Sequence, residues 1–141
     1  MPDINIGQIS EALNDKMDRD GYNVQSPADV IVAKQDPTSS NSYTWYRKYA
    51  SGWVEQGGVK SATSVADGSG TAGNTQINLP ITMANSNYWY SANAQVGGSG
   101  WDYGNGVILN TRTTTKLTLK VISGTSDSMQ IFWQVKGYAA S

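Results

Sequence analysis

TWYRKYASGWVEQGG, from Thr44 to Gly58, decides the fold class of this chain. Tyr43, Trp45, Arg47 and Tyr49 fall on one side of an extended segment, and Thr44, Tyr46 and Lys48 on the other. Period-two alternation of large and polar side chains is the pattern of a β-strand. Ala50-Ser51-Gly52 then supplies a short glycine-containing turn, and WVEQ (53–56) runs back. Two such runs joined by that loop predict a β-hairpin. Aromatics on both sides of the first strand predict that it is covered on both faces.

Upstream of the hairpin, ADVIVAK (28–34) is a short apolar strand, and QDPTSSNS (35–42) is a polar loop opened by Asp-Pro. Downstream, Gly57-Gly58 is expected to end the unit, which makes residues 23–58 a small β-hairpin module. A strand and a glycine-rich loop (59–76) follow, and then alternation recurs. Ile77, Leu79 and Ile81 share a face, as do Tyr88, Tyr90, Ala92, Ala94 and Val96. Leu117, Leu119 and Val121 form a third set, and Met129, Ile131, Trp133 and Val135 a fourth. These are half-buried strands of an antiparallel β-sandwich. Pro80 inside its pattern predicts an edge or a bulge. GGSGWDYGNG (97–106) and SGTSDS (123–128) are read as polar connectors.

INIGQISEALNDKMDRD (4–20) has the one helical pattern. Ile6, Ile9, Leu13 and Met17 (or Lys16) recur at spacings of three and four, and Gly21 is placed to stop the helix. A helix of roughly 14 residues is marginal alone. Isoleucine at both seam positions favours trimers or higher states. The fold class expected is therefore mainly β: a short N-terminal trimeric coiled-coil helix (1–22), a β-hairpin collar module (23–58) and a C-terminal antiparallel β-sandwich (59–141), assembled as a homotrimer. Ile6, Ile9, Leu13, Met17, Trp45 and Tyr46 are the expected trimer-interface residues.

Composition narrows the chemistry. Hydrophobic residues make up 38% of 141, and the net charge is −1. So polar a chain gains from burying more surface in an oligomer. Without runs of like charge it has no electrostatic basis for binding nucleic acid. No stretch approaches the roughly 20 apolar residues of a membrane span, so no membrane insertion is expected. The start, MPDINIGQIS, lacks the basic and apolar regions of a signal peptide, and secretion by that route is not expected. The chain has neither cysteine nor histidine. Disulfides and thiolate metal sites are thereby excluded, and the commonest general base and metal ligand are missing.

Three motifs are weighed and set aside. GSGTAG (68–73) matches a dinucleotide-binding fingerprint, but a strand pattern follows it where a helix is required. Asp18, Asp20 and Gly21 resemble part of a calcium loop, yet Lys16 and Pro27 stand where that loop needs acids. After Glu55 the acids are Asp67, Asp102 and Asp127, each in an expected loop, so nothing in the sequence pairs two carboxylates. No catalytic residue, metal ligand or cofactor is expected.

The aromatics are the positive signal. Trp89 falls opposite the core face of its strand, beside Ser91, Asn93 and Gln95, and Trp101, Asp102 and Tyr103 sit among glycines. Rings flanked by short polar groups suit carbohydrate, whose CH faces stack while its hydroxyls bond. The candidate binding residues are Trp89, Trp101, Asp102 and Tyr103, with Asn87 and Asn105 as polar neighbours.

A helix ending KMDRDGYN, followed by YTWYRKYASGWVEQGG, resembles the distal tail-fibre proteins of tailed bacteriophages and related prophages. INLPITMANSNYWYSANAQV, NTRTTTKLTLKV and IFWQVKGYAAS resemble the C-terminal receptor-binding domain of those fibres. In that family the last strand reads aromatic-x-Trp-x-x-x-Gly-Tyr. FWQVKGY (132–138) is close to it, with Lys136 where an apolar residue is usual. The resemblance runs from about Ile6 to Ala139. It implies a homotrimer with a coiled-coil stem, a hairpin collar and a receptor-binding head. It further implies a virion location at the fibre tip, assembly in the host cytoplasm, contact with other phage tail proteins, and adsorption to a bacterial cell-surface glycan, lipopolysaccharide or surface protein. Whole fibres of the family are usually longer, so a distal fragment or a short fibre is expected. The alternatives are a polysaccharide depolymerase fragment using Glu55 or Asp102, and a purely structural trimerisation module.

Overall fold

Strand β8, Ser128–Tyr138, is the axis of the fold. Met129, Ile131, Trp133 and Val135 point to one side and are each 5% exposed or less, while Gln130, Phe132 and Tyr138 are exposed on the other. The computed structural model describes residues 29–66, 70–96, 106–124 and 126–141. The chain divides into two units, 1–30 and 31–141. The expected helix and its seam residues Ile6, Ile9, Leu13 and Met17 lie outside the described residues.

The second unit is two antiparallel sheets. The other strands are β1 (Ile31–Gln35), β2 (Trp45–Tyr49), β3 (Trp53–Thr63), β4 (Thr75–Asn78), β5 (Trp89–Val96), β6 (Gly106–Arg112) and β7 (Lys116–Ile122). One sheet has the order β1-β2-β3-β8-β5, the other β4-β7-β6. The last strand therefore lies between β3 and β5, paired along its length with both. Ile77, Leu117, Leu119 and Val121 from the smaller sheet meet Met129, Ile131, Trp133, Val135 and Tyr88 in one core. Each such side chain contributes about 1.5–3 kcal/mol through removal from water.

The expected alternations hold for β4, β5, β7 and β8, and Pro80 lies just beyond the end of β4. The 50–52 turn closes the β2–β3 hairpin, with Gly52 at φ +90°, a conformation glycine reaches without penalty. Three readings are corrected. Gly57-Gly58 does not end a unit: both glycines are buried in mid-strand, and the expected boundary at 58/59 falls inside β3. Eleven residues of β3 pair continuously with β8, which makes the hairpin part of the sandwich sheet. Residues 106–112 form strand β6, which the glycines just before it concealed. Finally, β7 is covered on more than its core face. Lys120 is 1% exposed and donates from Nζ to the carbonyl of Gly70 at 2.7 Å.

Tyr88 anchors the entry to β5. It is 4% exposed, and its hydroxyl donates towards the carbonyls of Thr113 (2.9 Å) and Lys116 (3.1 Å). Arg112 donates to the carbonyl of Tyr88 at 2.7 Å and lies over its ring. Burial pushes the Tyr88 hydroxyl pKa up, partly opposed by Arg112. The folded state thus holds the proton more tightly than the unfolded chain. This stabilisation is complete below the ordinary tyrosine range and is lost as pH rises through the raised value. Tyr88→Phe should cost about 1 kcal/mol in urea unfolding at neutral pH, because the Thr113 carbonyl loses this donor, whereas that of Lys116 keeps the Thr113 amide at 2.8 Å. The gap between wild type and Tyr88→Phe should narrow above about pH 10. A gap that widened there would contradict the assignment.

Candidate functional site

The face of the five-stranded sheet turned away from the core carries the chain's densest exposed chemistry. Cross-strand register sets it out in rows. Arg47, Glu55, Lys136 and Trp89 lie side by side across β2, β3, β8 and β5. The next row is Trp45, Gly57, Gln134 and Ser91, and the one after it Val59, Phe132 and Asn93. Trp53 and Tyr138 close one end, edge to face with centroids 5.2 Å apart. Trp89 is 53% exposed, Phe132 43% and Tyr138 59%. Stripping water from such rings is favourable, which makes this face the candidate contact surface.

One ion pair and two cation–ring contacts organise the charges on this face. Lys136 approaches Glu55 at 3.9 Å and lies 5.5 Å from the centre of the Trp89 ring. Tyr49 donates to Glu55 at 3.4 Å, and the Arg47 guanidinium sits 5.5 Å from the Trp45 ring. Lys136, the departure from the family pattern, therefore faces outward and is matched by a carboxylate and a ring.

The neighbouring rows contain a groove. It has a volume of about 550 Å³ and is walled by Tyr43, Trp45, Pro37 and Phe132, with Ser91, Asn93, Gln130 and Gln134 along it. That volume is within the usual range for small-ligand sites. Glycine makes the wall: a Cβ on Gly57 would stand 2.8 Å from Trp45 Nε1 and 2.6 Å from the Trp133 carbonyl oxygen, so the indole can lie against the strand there only because Gly57 has no side chain. Tyr43 is held up by a tight turn. Its amide donates to the Thr38 carbonyl at 2.8 Å, and the amide of Val59 donates to the Ser42 carbonyl at 3.1 Å.

The expected site residues are placed unequally. Trp89 points outward as expected. Asn87 is exposed just before β5, its amide accepting no role in the groove but donating to the Asn85 side chain at 2.8 Å. Trp101, Asp102, Tyr103 and Asn105 lie outside the described residues. Trp45 and Tyr46, expected at a subunit contact, are half-buried on opposite faces of β2. Phe132, Gln134 and Tyr138 were missed as surface residues. Their signal was available: they alternate with the core set Ile131, Trp133 and Val135. Ser64 and Ser123 are buried, and their hydroxyls are spent on structure, Ser123 donating to Ser64 and the Asp127 amide donating to Ser64, both at 2.9 Å. Among the described residues no group of three potential metal-ligating side chains occurs, and no helix is long and apolar enough to cross a membrane.

With this geometry in place, the fold has solved counterparts. An N-truncated R2-type pyocin tail fibre aligns with 97% of this chain at a TM-score of 0.50 and 12% identity. The structural neighbours are R2 pyocin tail fibres. The second is a C-terminal portion of the P. aeruginosa R2 pyocin fibre, aligned over 77% of this chain at a TM-score of 0.48 and 12% identity. The chain spans about half of the first structure (52%) and a quarter of the second (26%). At this identity the likeness to the R2-type pyocin fibre is one of fold. No protein-family model and no curated protein matches the sequence.

Proposed function

We propose that this chain is the tip of a phage-type tail fibre, which adheres as a homotrimer to a bacterial surface receptor without catalysis. The receptor is a polysaccharide, lipopolysaccharide or surface protein. The fibre's place is the virion, joined to other tail proteins and assembled in the host cytoplasm. The observation that carries the reading is the outward face of the five-stranded sheet, where Trp89, Phe132, Tyr138 and Trp45 stand among amides and paired charges. Three such faces on one rigid trimer would gain avidity of about 10²–10⁴ on a repetitive receptor. The fold likeness to a pyocin tail fibre and the tail-fibre motifs of the sequence support it.

The fluorescently labelled chain should decorate a subset of bacterial strains and sediment as three chains. Trp89→Ala, and separately the pair Trp101→Ala with Tyr103→Ala, should each reduce decoration several-fold while the trimer persists. A monomeric mass, or decoration indifferent to all three rings, would count against the proposal.

Glu55 is the described acid on this face, and the alternative of a depolymerase would place it in catalysis. Its engagement by Lys136 and Tyr49 supports a structural role instead. Glu55→Gln should therefore leave cell binding intact, and wild type should release no reducing ends from capsule or lipopolysaccharide. Reducing ends that vanish in Glu55→Gln would establish the enzyme.

A further inference from the structure

We infer that the groove between Tyr43, Trp45 and Phe132 is a subsite for uncharged pyranose rings of a surface glycan. This rests on the adhesion reading above but assigns a site that the sequence candidates Trp89 and Trp101 to Asn105 do not include, and a single class among the three receptor types.

The first support is the composition of the groove. Its walls are the rings of Tyr43, Trp45 and Phe132, and its polar groups are the Ser91 hydroxyl and the amides of Asn93, Gln130 and Gln134. No Asp, Glu, Lys or Arg lines it. An anionic sugar would give up hydration there without meeting a countercharge, a large penalty. A neutral ring meets flat faces for its CH groups and amides that both donate and accept for its hydroxyls. In the adjoining row Lys136 and Glu55 offset each other, and Arg47 lies against the Trp45 ring at 5.5 Å without lining the groove.

The second support is that the polar groups are uncommitted. Among the described residues, the side chains of Ser91, Asn93, Gln130 and Gln134 make no hydrogen bond to protein. Asn93 is the cross-strand partner of Phe132, and Ser91 of Gln134, so the ring and these polar groups project from one face in adjacent rows. The spacing is set by the sheet itself, with strands about 4.8 Å apart. From β2 to β5 that gives three steps, a span of about 14 Å across the strands, room for more than one sugar ring.

The third support is the backbone at Tyr43. Ser42 and Tyr43 both have positive φ, 56° and 54°, which disfavours two consecutive residues bearing side chains. The conformation is held by the Thr38–Asn41 turn, in which the Thr38 amide donates to Asn41 Oδ1 at 2.9 Å and the Thr44 amide to the Asn41 carbonyl at 3.1 Å. Strain of this kind persists where surrounding structure imposes it and clusters at ligand sites. Its effect here is to hold a 53%-exposed tyrosine at the groove wall, where folding alone gains little from it.

The test is retention of the full chain on immobilised bacterial glycans, one set of neutral hexose polymers and one of uronate- or phosphate-containing polymers. Wild type should bind at least one neutral glycan. Phe132→Ala and Asn93→Ala should each weaken that binding by about tenfold or more. Ile108→Ala, an exposed site on the other sheet, should leave it unchanged. Melting temperature and solution mass are read in parallel. The inference is overturned by retention on acidic glycans alone, by no retention at all, by unchanged affinity in Phe132→Ala, or by loss of the oligomer in that variant. Cells decorated equally by wild type and Phe132→Ala would sink the groove and leave adhesion standing. Neutral glycan bound through Phe132 by a protein that decorates no cell would do the reverse.

Discussion

Gln56→Ala should lower the free energy of unfolding by about 2–4 kcal/mol, the scale of a fully buried amide whose partners are left unpaired. Gln56 is 0% exposed in mid-β3, on the core side of the sheet. Its Oε1 accepts from the Ile81 amide at 2.9 Å, and its Nε2 donates to the Ile81 carbonyl at 3.0 Å and lies 3.1 Å from the Met83 sulfur. It thus extends the sheet's hydrogen bonding sideways to the segment after Pro80, which carries the buried Met83. Removing the amide strands both backbone groups of Ile81 and opens a cavity. Gln56→Leu restores volume without the bonds and should recover only part of the loss. Urea unfolding of the three proteins, with unchanged m-values, measures this. A Gln56→Ala midpoint within about 0.5 kcal/mol of wild type would mean that the 79–83 segment does not depend on this link.

Gly57→Ala should cost a similar amount, about 2–4 kcal/mol, and should disturb the groove as well. The new methyl would sit 2.6 Å from the Trp133 carbonyl and 2.8 Å from Trp45 Nε1, inside van der Waals distance of both. The first obstacle is backbone of the neighbouring strand β8 and cannot rotate away; the second is a ring that can. Trp45→Ala combined with Gly57→Ala should therefore recover only a fraction of the stability. Tryptophan emission should shift in Gly57→Ala as Trp45 leaves the strand. Melting identical to wild type would show that β3 and β8 separate there at little cost.

How far the sequence carried differs from residue to residue. Leu117, Leu119, Val121, Met129, Ile131, Trp133 and Val135 were assigned to the core by alternation alone, and all are 5% exposed or less. The same alternation put Trp89 outside, where it is. It equally implied Phe132 and Tyr138 on the surface, the outward half of FWQVKGY, where both are exposed. KLTLKV was read as half-buried, with Leu117, Leu119 and Val121 inward, yet Lys120 on its other face is 1% exposed. Its ammonium donates to the carbonyl of Gly70, fifty residues earlier in the chain. Gly57-Gly58 was read as punctuation, because a glycine pair most often breaks strands. Here the pair serves close approach: Trp45 covers one glycine and Thr44 lies 3.2 Å from the Cβ position of the other.

By itself the sequence determined that this protein is built of strands, and which side chains of most strands turn inward. It did so because successive side chains of an extended backbone point to opposite faces, a local consequence of covalent geometry. Tertiary structure alone decided that β8 lies between β3 and β5, that β3 runs on past Gly58, and that Tyr43, Trp45, Phe132 and Asn93 share one groove. Those facts depend on which strand edges pair across the chain, from Trp53 to Tyr138 at the widest. Every strand offers the same backbone donors and acceptors along both edges, so its own sequence does not name its neighbour.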